Sequence, residues 1–378
     1  MKLRSLLTTV VALTIIPWSA LAQTESVLIS GLINPARLIV STGGNLLVSE
    51  AGDGTPNTGR LSRVSPLGTR TTIINGLPSA LAPDNVTGPW HLAQKNSKTL
   101  VVAIGTGDTT VLDTLGAEVP NPAGPSSPLF SSILEISFST SIDQSAGGFT
   151  LTDADQRKLA NGYAVSLEVS SGETATFSVL TDFRDIIRDE AGAPRRSNPF
   201  GLVLGSNTIW TADASRNDLQ QVDLQTGRAL QVATFGTVTN PLPFGPPQLE
   251  PVPTGVATYR GSLLVSLETG FPFPAGASEV KKVDPQTGEV STLIGGLTQA
   301  IDVLVSPASG QEKIYVIELS SDLLNGAPGR LLKFDSPTSA PVVLSSSLIF
   351  PSSVARSPQT GHLFVTQFFT GEIIKIVP

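Results

Sequence analysis

The stretch Asn198-Pro199-Phe200-Gly201-Leu202-Val203-Leu204, Thr208-Ile209-Trp210-Thr211-Ala212-Asp213 and Leu219-Gln220-Gln221-Val222-Asp223, followed by the turn Gln225-Thr226-Gly227 into Ala229 to Phe235, decides the fold. It reads as four short strands separated by turns: an apolar strand opened by Pro, a stronger apolar strand ending on a polar residue, an amphipathic strand ending in Asp, and a last apolar strand. The unit recurs from Pro253-Thr254-Gly255-Val256-Ala257 through Leu263-Leu264-Val265-Ser266-Leu267-Glu268 and Val280-Lys281-Lys282-Val283-Asp284. Further copies contain Ile314-Tyr315-Val316-Ile317-Glu318, Leu363-Phe364-Val365-Thr366-Gln367, Leu46-Leu47-Val48-Ser49-Glu50 and Leu100-Val101-Val102-Ala103-Ile104. Six copies of a four-strand unit predict an all-β, six-bladed β-propeller over residues 23–378. Such strands cannot bury both faces alone, so neighbouring blades must cover them.

The chain stops after a third strand, at Val377-Pro378, and the missing strand lies at the other end. Val27-Leu28-Ile29-Ser30-Gly31-Leu32 matches the fourth strands Thr72 to Leu77 and Thr292 to Leu297. An N-terminal strand closing the last blade is therefore expected, with an open β-solenoid as the competing architecture.

Residues 1–22 read as a signal peptide: Lys2 and Arg4, an apolar Leu6 to Ile16, then Ala20-Leu21-Ala22 ahead of a cleavage point before Gln23. An uncleaved N-terminal anchor is the competing reading. The apolar run is short for a bilayer span, and no later segment approaches one, so no stable membrane insertion is expected after cleavage. These features place the mature chain in the periplasm or outside the cell. It contains no cysteine, which removes disulfides, thiolate metal sites and Cys nucleophiles together. The formal charge of −7 has no basic patch to set against it, so nucleic acid and anionic membranes are poor partners. A small molecule or a protein is the expected partner.

Three insertions stand out: 105–128, 137–171 and 182–197. The first and third open on one face of the propeller. So do Thr269 to Ser278, with Gly270-Phe271-Pro272-Phe273-Pro274, and Ser320 to Gly329. The charged stretch 182–197 holds Arg184, Asp185, Arg188, Asp189, Glu190, Arg195 and Arg196. Ser137 to Ser171 leaves from the opposite side and contains a capped helix near Thr152 to Leu159. Long loops gathered on one face mark the working face.

On that face the second strands end at Glu50, Asp213, Glu268, Glu318 and Gln367; blade two instead has Ile104, with Asp108 shortly after. Carboxylates converging on a narrow channel need a cation, donors or raised pKa values. Glu50, Asp213, Glu268 and Glu318 are the candidate metal ligands, with Asn34, Asn198 and Asp302 adding oxygens at the same level. An all-oxygen set favours a divalent cation such as Ca²⁺. The competing reading is that each carboxylate caps backbone N–H groups of the adjacent loops. Phe271, Phe273, His91 and Asn198 are candidate ligand contacts; for His91 the alternative is a satisfied core histidine, and for the two phenylalanines it is packing onto the blades. Two histidines and no cysteine argue against a His-rich zinc or copper centre. No nucleophile elbow, P-loop or dinucleotide fingerprint occurs in a fitting context.

The stretches Ser197 to Gly201, Glu268-Thr269-Gly270-Phe271-Pro272-Phe273-Pro274-Ala275-Gly276-Ala277 and Val280 to Pro285 resemble the ScyD/ScyE family. These are exported propellers named for the cyanobacterial scytonemin gene cluster. The repeat is also similar, more loosely, to NHL-type propellers. The resemblance implies a periplasmic or secreted location and allows a role late in making an indole-phenol pigment, where monomers are oxidised and joined. It supplies no catalytic residues to carry over, and blade two departs from the pattern. Three functions stay open from the residues: binding, with oxidation or coupling, of a small aromatic molecule at the channel mouth; Ca²⁺-dependent hydrolysis of a lactone or ester; and a non-catalytic scaffold for a protein partner.

Overall fold

The structure, a computed structural model, describes residues 24–378 apart from 83–84, 116–117, 184, 186, 189–193 and 309–310. The signal-peptide reading of residues 1–22 and Arg184, Asp189 and Glu190 of the charged insertion lie outside the described residues. Six antiparallel main sheets follow one another along the chain, each led by an innermost strand: Pro35–Val40, Pro89–Asn96, Pro199–Leu204, Pro253–Tyr259, Ala300–Ala308 and Pro351–Arg356. Each innermost strand packs against the next, and the last returns to the first, so the sheets form a closed six-bladed propeller around a channel.

Thr24–Ile29 pairs antiparallel with Glu372–Val377 and supplies the outer strand of blade six. The expected N-terminal closure is therefore present. It joins the two ends of the described chain and covers an edge that would otherwise offer a row of unpaired amides.

Strand alternation explains why the ring needs all its blades. In blade four, Leu263 and Val265 pack towards blade three, whereas Leu264 packs towards blade five. In blade one, Leu46 and Val48 pack towards blade six, whereas Leu47 packs towards blade two. Each of the six interfaces between neighbours holds its own apolar cluster. No blade contains a core of its own.

The insertion at 137–171 differs in its course from the expectation. It leaves blade two at the expected end, where Asp143 takes hydrogen bonds from Ser41, Gly43 and Asn45 of a blade-one turn. It then climbs the outer edge of blade one through Phe149–Thr150, parallel to Ile74–Asn75. Its helix, Asp153–Ala160, is closed by a capping box between Thr152 and Asp155. Gln156 on that helix bonds Asn57 and Ser127, two residues of loops on the other, loop-rich face. The insertion thus straps one face to the other, held on the way by its pairing with Ile74–Asn75 and at the far end by Gln156.

Candidate functional site

Every second strand ends at the loop-rich face, and registration with the innermost strand identifies the equivalent end positions. Pro35 pairs with Glu50, Pro89 with Ile104, Pro199 with Asp213, Pro253 with Leu267, Ala300 with Glu318 and Pro351 with Gln367. Polar residues at this position clasp the loop entering their own blade. Glu50 accepts from the Ile33 amide at 2.7 Å, Glu318 from the Thr298 amide at 2.8 Å and Gln367 from the Ile349 amide at 2.6 Å. The shorter Asp213 takes the nearer Asn198 amide at 2.8 Å, together with Ser215 and Arg216. In blade four the residue two before the innermost strand is Pro251, which has no amide hydrogen to satisfy, and the clasp position is the apolar Leu267.

The clasps are closed units. Glu50 also receives the Ser62 hydroxyl at 2.5 Å and the Arg70 guanidinium at 2.8 and 3.1 Å, and is fully buried. Glu318 pairs with Arg330 at 2.5 Å. Burial, and then the nearby charge of Asp218, push the Asp213 carboxyl up to about 6. The structure therefore does not gather Glu50, Asp213, Glu268 and Glu318 into the cation cage that the sequence suggested. Among the described residues no three His, Asp or Glu side chains stand close enough to share a metal ion. The physical reason is the clasp: Glu50 and Glu318 spend both oxygens on their own blades, and Asp213 spends its Oδ1 on the loop around it, with Oδ2 buried and unbonded.

One residue further on, the chain reaches a second ring: Ala51, Gly105, Ala214, Glu268, Leu319 and Phe368. Each donates its amide to the residue just before the innermost strand: Asn34, Gly88, Asn198, Val252, Gln299 and Phe350 respectively, at 2.8 to 3.0 Å. Alternation turns this ring away from the clasps and towards the channel mouth. Five of its members are small or apolar and the sixth is Glu268.

Just below, the ladder of each blade slips register near the first residues of its innermost strand. These bulges redirect Trp90, Phe200, Thr254, Ile301 and Ser352 into the mouth. The result is a cavity of about 290 Å³ whose aromatic wall is Trp90, Phe200, Phe350, Phe368 and Phe369. Trp90 stacks on Phe200 at 4.7 Å and on Phe368 at 5.8 Å, and Phe369 meets Phe368 and Phe350 edge to face. Gly105 is required beside Trp90, since a Cβ there would lie 2.2 Å from the indole nitrogen.

Glu268 lines this cavity. No described residue hydrogen-bonds or ion-pairs with its carboxylate, and burial alone pushes it up to about 7. Asn198 also lines the cavity; its Oδ1 accepts the Thr106 amide at 3.2 Å, which leaves its amide nitrogen for a ligand. Of the ten residues singled out from the sequence as metal or ligand contacts, the mouth cavity brings together these two.

His91 sits deeper, in a ring with Arg37, Asp302 and Ser353 that lines a larger cavity of about 600 Å³ running to the opposite face. Its Nδ1 accepts the Leu202 amide at 2.5 Å, and burial followed by the Arg37 charge holds it well below the ordinary imidazole range. Asp302 ion-pairs with Arg37 and accepts the Val303 and Val354 amides, while Ser353 accepts the Leu38 amide. Three members of this deeper ring, His91, Asp302 and Ser353, cap amides of innermost strands, while Arg37 meets only Asp302 and keeps its Nη2 unbonded. Phe271 and Phe273 lie on a neighbouring loop outside the mouth cavity, where Phe271 contacts Phe244 and Phe273 edge to face. The aromatic wall escaped the sequence reading, although three of its five members sit next to the Pro that opens an innermost strand: Trp90, Phe200 and Phe350.

No family model matches this chain, and no curated protein matches it. Solved structures match it over almost its whole length. The soluble aldose sugar dehydrogenase of Escherichia coli, in its apo form, shares 13% identity over 94% of this chain and 99% of its own, with a TM-score of 0.54. An oxidoreductase (glucose dehydrogenase) of Thermus thermophilus shares 12% over 94% and 99%, at 0.51. The PQQ-bound aldose sugar dehydrogenase of Streptomyces coelicolor shares 13% over 94% and 98%, at 0.49. At such identities the likeness is one of fold, the β-propeller, and leaves the chemistry to this chain's own residues. Among the described residues no helix is long and apolar enough to cross a membrane.

Proposed function

We propose that this protein is a propeller, exported as the ScyD/ScyE resemblance implies, that binds a small aromatic molecule at its channel mouth, a role the resemblance allows, with Glu268 and Asn198 as polar contacts. One observation carries the reading: five aromatic side chains enclose a cavity into which a single unpartnered carboxylate is exposed. A cavity of this kind, mostly apolar with few polar groups, is the common form of a small-molecule site. The leader-like residues 1–22 support export. Glu268 is also placed to exchange a proton with a bound phenol or indole, the step that an oxidation or coupling reaction would ask of the protein.

PQQ, the group bound by one of the fold neighbours, does not fit this cavity. It carries three carboxylates, and no described lining residue is cationic to receive them. Ca²⁺-dependent hydrolysis finds no support in the separate clasps of Glu50, Asp213 and Glu318. The scaffold reading is favoured by one feature, the half-exposed Phe244 and Phe271 in contact on loops at the mouth side.

Calorimetry with indole and phenol tests the main reading. Both are expected to bind, and Phe368→Ala is expected to weaken binding about tenfold, as loss of a stacked ring predicts. Binding that is indifferent to Phe368→Ala would remove the mouth as the site.

A further inference from the structure

We propose that the ligand of the mouth cavity is a singly charged organic cation, a protonated amine bearing an apolar or aromatic group, with Glu268 as its counter-ion. The inference rests on the aromatic-pocket reading and adds the charge of the ligand to it.

Ala51, Gly105, Ala214, Leu319 and Phe368 show that the mouth is built without a charge at this level. Glu268 is the exception, and unlike Glu50, Glu318 and Asp213 it clasps nothing. A carboxylate left without donors in an apolar cavity is costly to the fold. Removing its charge by mutation would relieve that cost, so its presence needs a cause outside the free protein. A ligand carrying an N⁺–H donor supplies both the missing charge and the missing hydrogen bond.

The walls select in the same direction. Aromatic rings present negative faces and attract a cation lying over them. Trp90, Phe200, Phe350, Phe368 and Phe369 provide such faces around one cavity. No described lining residue is Lys, Arg or His, so an anion would find repulsion from Glu268 and no compensating charge. The net formal charge of −7 adds long-range attraction for cations. A neutral aromatic gains the apolar contacts but leaves the carboxylate without a partner. Glu268 must be ionised to act as counter-ion, and its raised pKa places that change near neutrality. It is the single titratable side chain among the described lining residues.

An isosteric trio tests the inference by calorimetry at about pH 8, where Glu268 is ionised: 2-phenylethylamine, 2-phenylethanol and phenylacetate. The amine is expected to bind at least about tenfold more tightly than the alcohol, and phenylacetate to give no measurable heat of binding. Glu268→Gln should bring the amine down to the alcohol's affinity; it removes an unpaired charge, so the variant is expected to fold. Lowering the pH below about 6 should erase the preference in the unmodified protein as the carboxyl takes up its proton. Equal binding of amine and alcohol, or amine binding that Glu268→Gln leaves intact, overturns the counter-ion inference. In that case alcohol binding that Phe368→Ala weakens keeps the aromatic pocket standing. Binding of none of the three, or binding that Phe368→Ala does not alter, overturns the pocket reading and the inference with it.

Discussion

Glu50 and Glu268 both stand at the end of a second strand on the loop-rich face, and the structure uses them in opposite ways. Glu50 is surrounded by donors: the Ile33 amide, the Ser62 hydroxyl and the guanidinium of Arg70, with Arg60 at 3.6 Å. Glu268 has an aromatic cavity in front of it and no donor among the described residues. One residue of register separates the two situations. In a strand that step reverses the direction of the side chain. The two residues illustrate how a repeated fold acquires a site: a position that serves the frame in four blades is apolar in blades two and four, and in blade four a charge stands one place on, in a ring that faces the channel.

The largest way to break this contrast is at the frame. Glu50→Ala leaves the Ile33 amide without its acceptor and the part-buried Arg70 guanidinium with only Ser62 and the Gly31 carbonyl, and should destabilise the fold by about 3 kcal/mol. Urea unfolding would show this as a lower midpoint at unchanged slope, and ligand binding at the mouth should persist in the folded fraction. Glu318→Gln is gentler. The amide oxygen still accepts from Thr298, while Arg330 loses its charged partner. A loss of about 2 kcal/mol is expected, the scale of a hydrogen bond to a charged group. A loss as large as that of Glu50→Ala would mean that charge, and not the clasp geometry, holds the loop.

Most of the frame could be read from the sequence because strand alternation, turn residues and the displaced terminal strand are local signals. The split between clasp and mouth was harder, yet the signal was there. Leu46-Leu47-Val48-Ser49-Glu50 and Leu263-Leu264-Val265-Ser266-Leu267-Glu268 share Leu-Leu-Val-Ser. Aligned on those four residues, Glu50 falls on Leu267 and Glu268 is one place beyond. Pro251 was a second sign, since a residue without an amide hydrogen needs no clasp. The aromatic wall was out of reach for a different reason. Bulges aim Trp90 and Phe200 into the mouth, and a bulge is set by main-chain pairing across the hairpin that composition does not record. Phe271 and Phe273 drew notice as a cluster, but adjacency in sequence placed them on a loop and not in the cavity.

Glu268→Gln sharpens the comparison because its effect has the opposite sign. The folded carboxyl titrates at about 7 and the unfolded one near 4.5, so the folded state holds more protons between those values. Stability therefore falls as pH rises through that window. The Gln variant should gain about 1–2 kcal/mol over the unmodified protein at pH 8, with the gain vanishing below about pH 4.5. Melting temperatures taken across that range check both the sign and the window. A variant less stable at every pH would show that Glu268 has a clasp of its own.

The smallest expected effect asks why blade six uses an amide where blades one and five use a carboxylate. Gln367 accepts from the Ile349 amide like its counterparts, but its amide nitrogen also donates to Glu372 at 2.9 Å. In blades one and five the partner strand answers the clasp with Arg60 and Arg330 instead. Gln367→Glu would keep the accepted bond and set two carboxylates against each other, so one of them should take up a proton near neutral pH. About 1 kcal/mol of stability should be lost at pH 7 and recovered on acidification. Adding Glu372→Arg should restore it by recreating the pairing seen in blade five. If the double variant stays as weak as the single one, the residue facing the clasp does not govern the choice between amide and carboxylate, and the clasp and mouth positions would differ in less than the charges they meet.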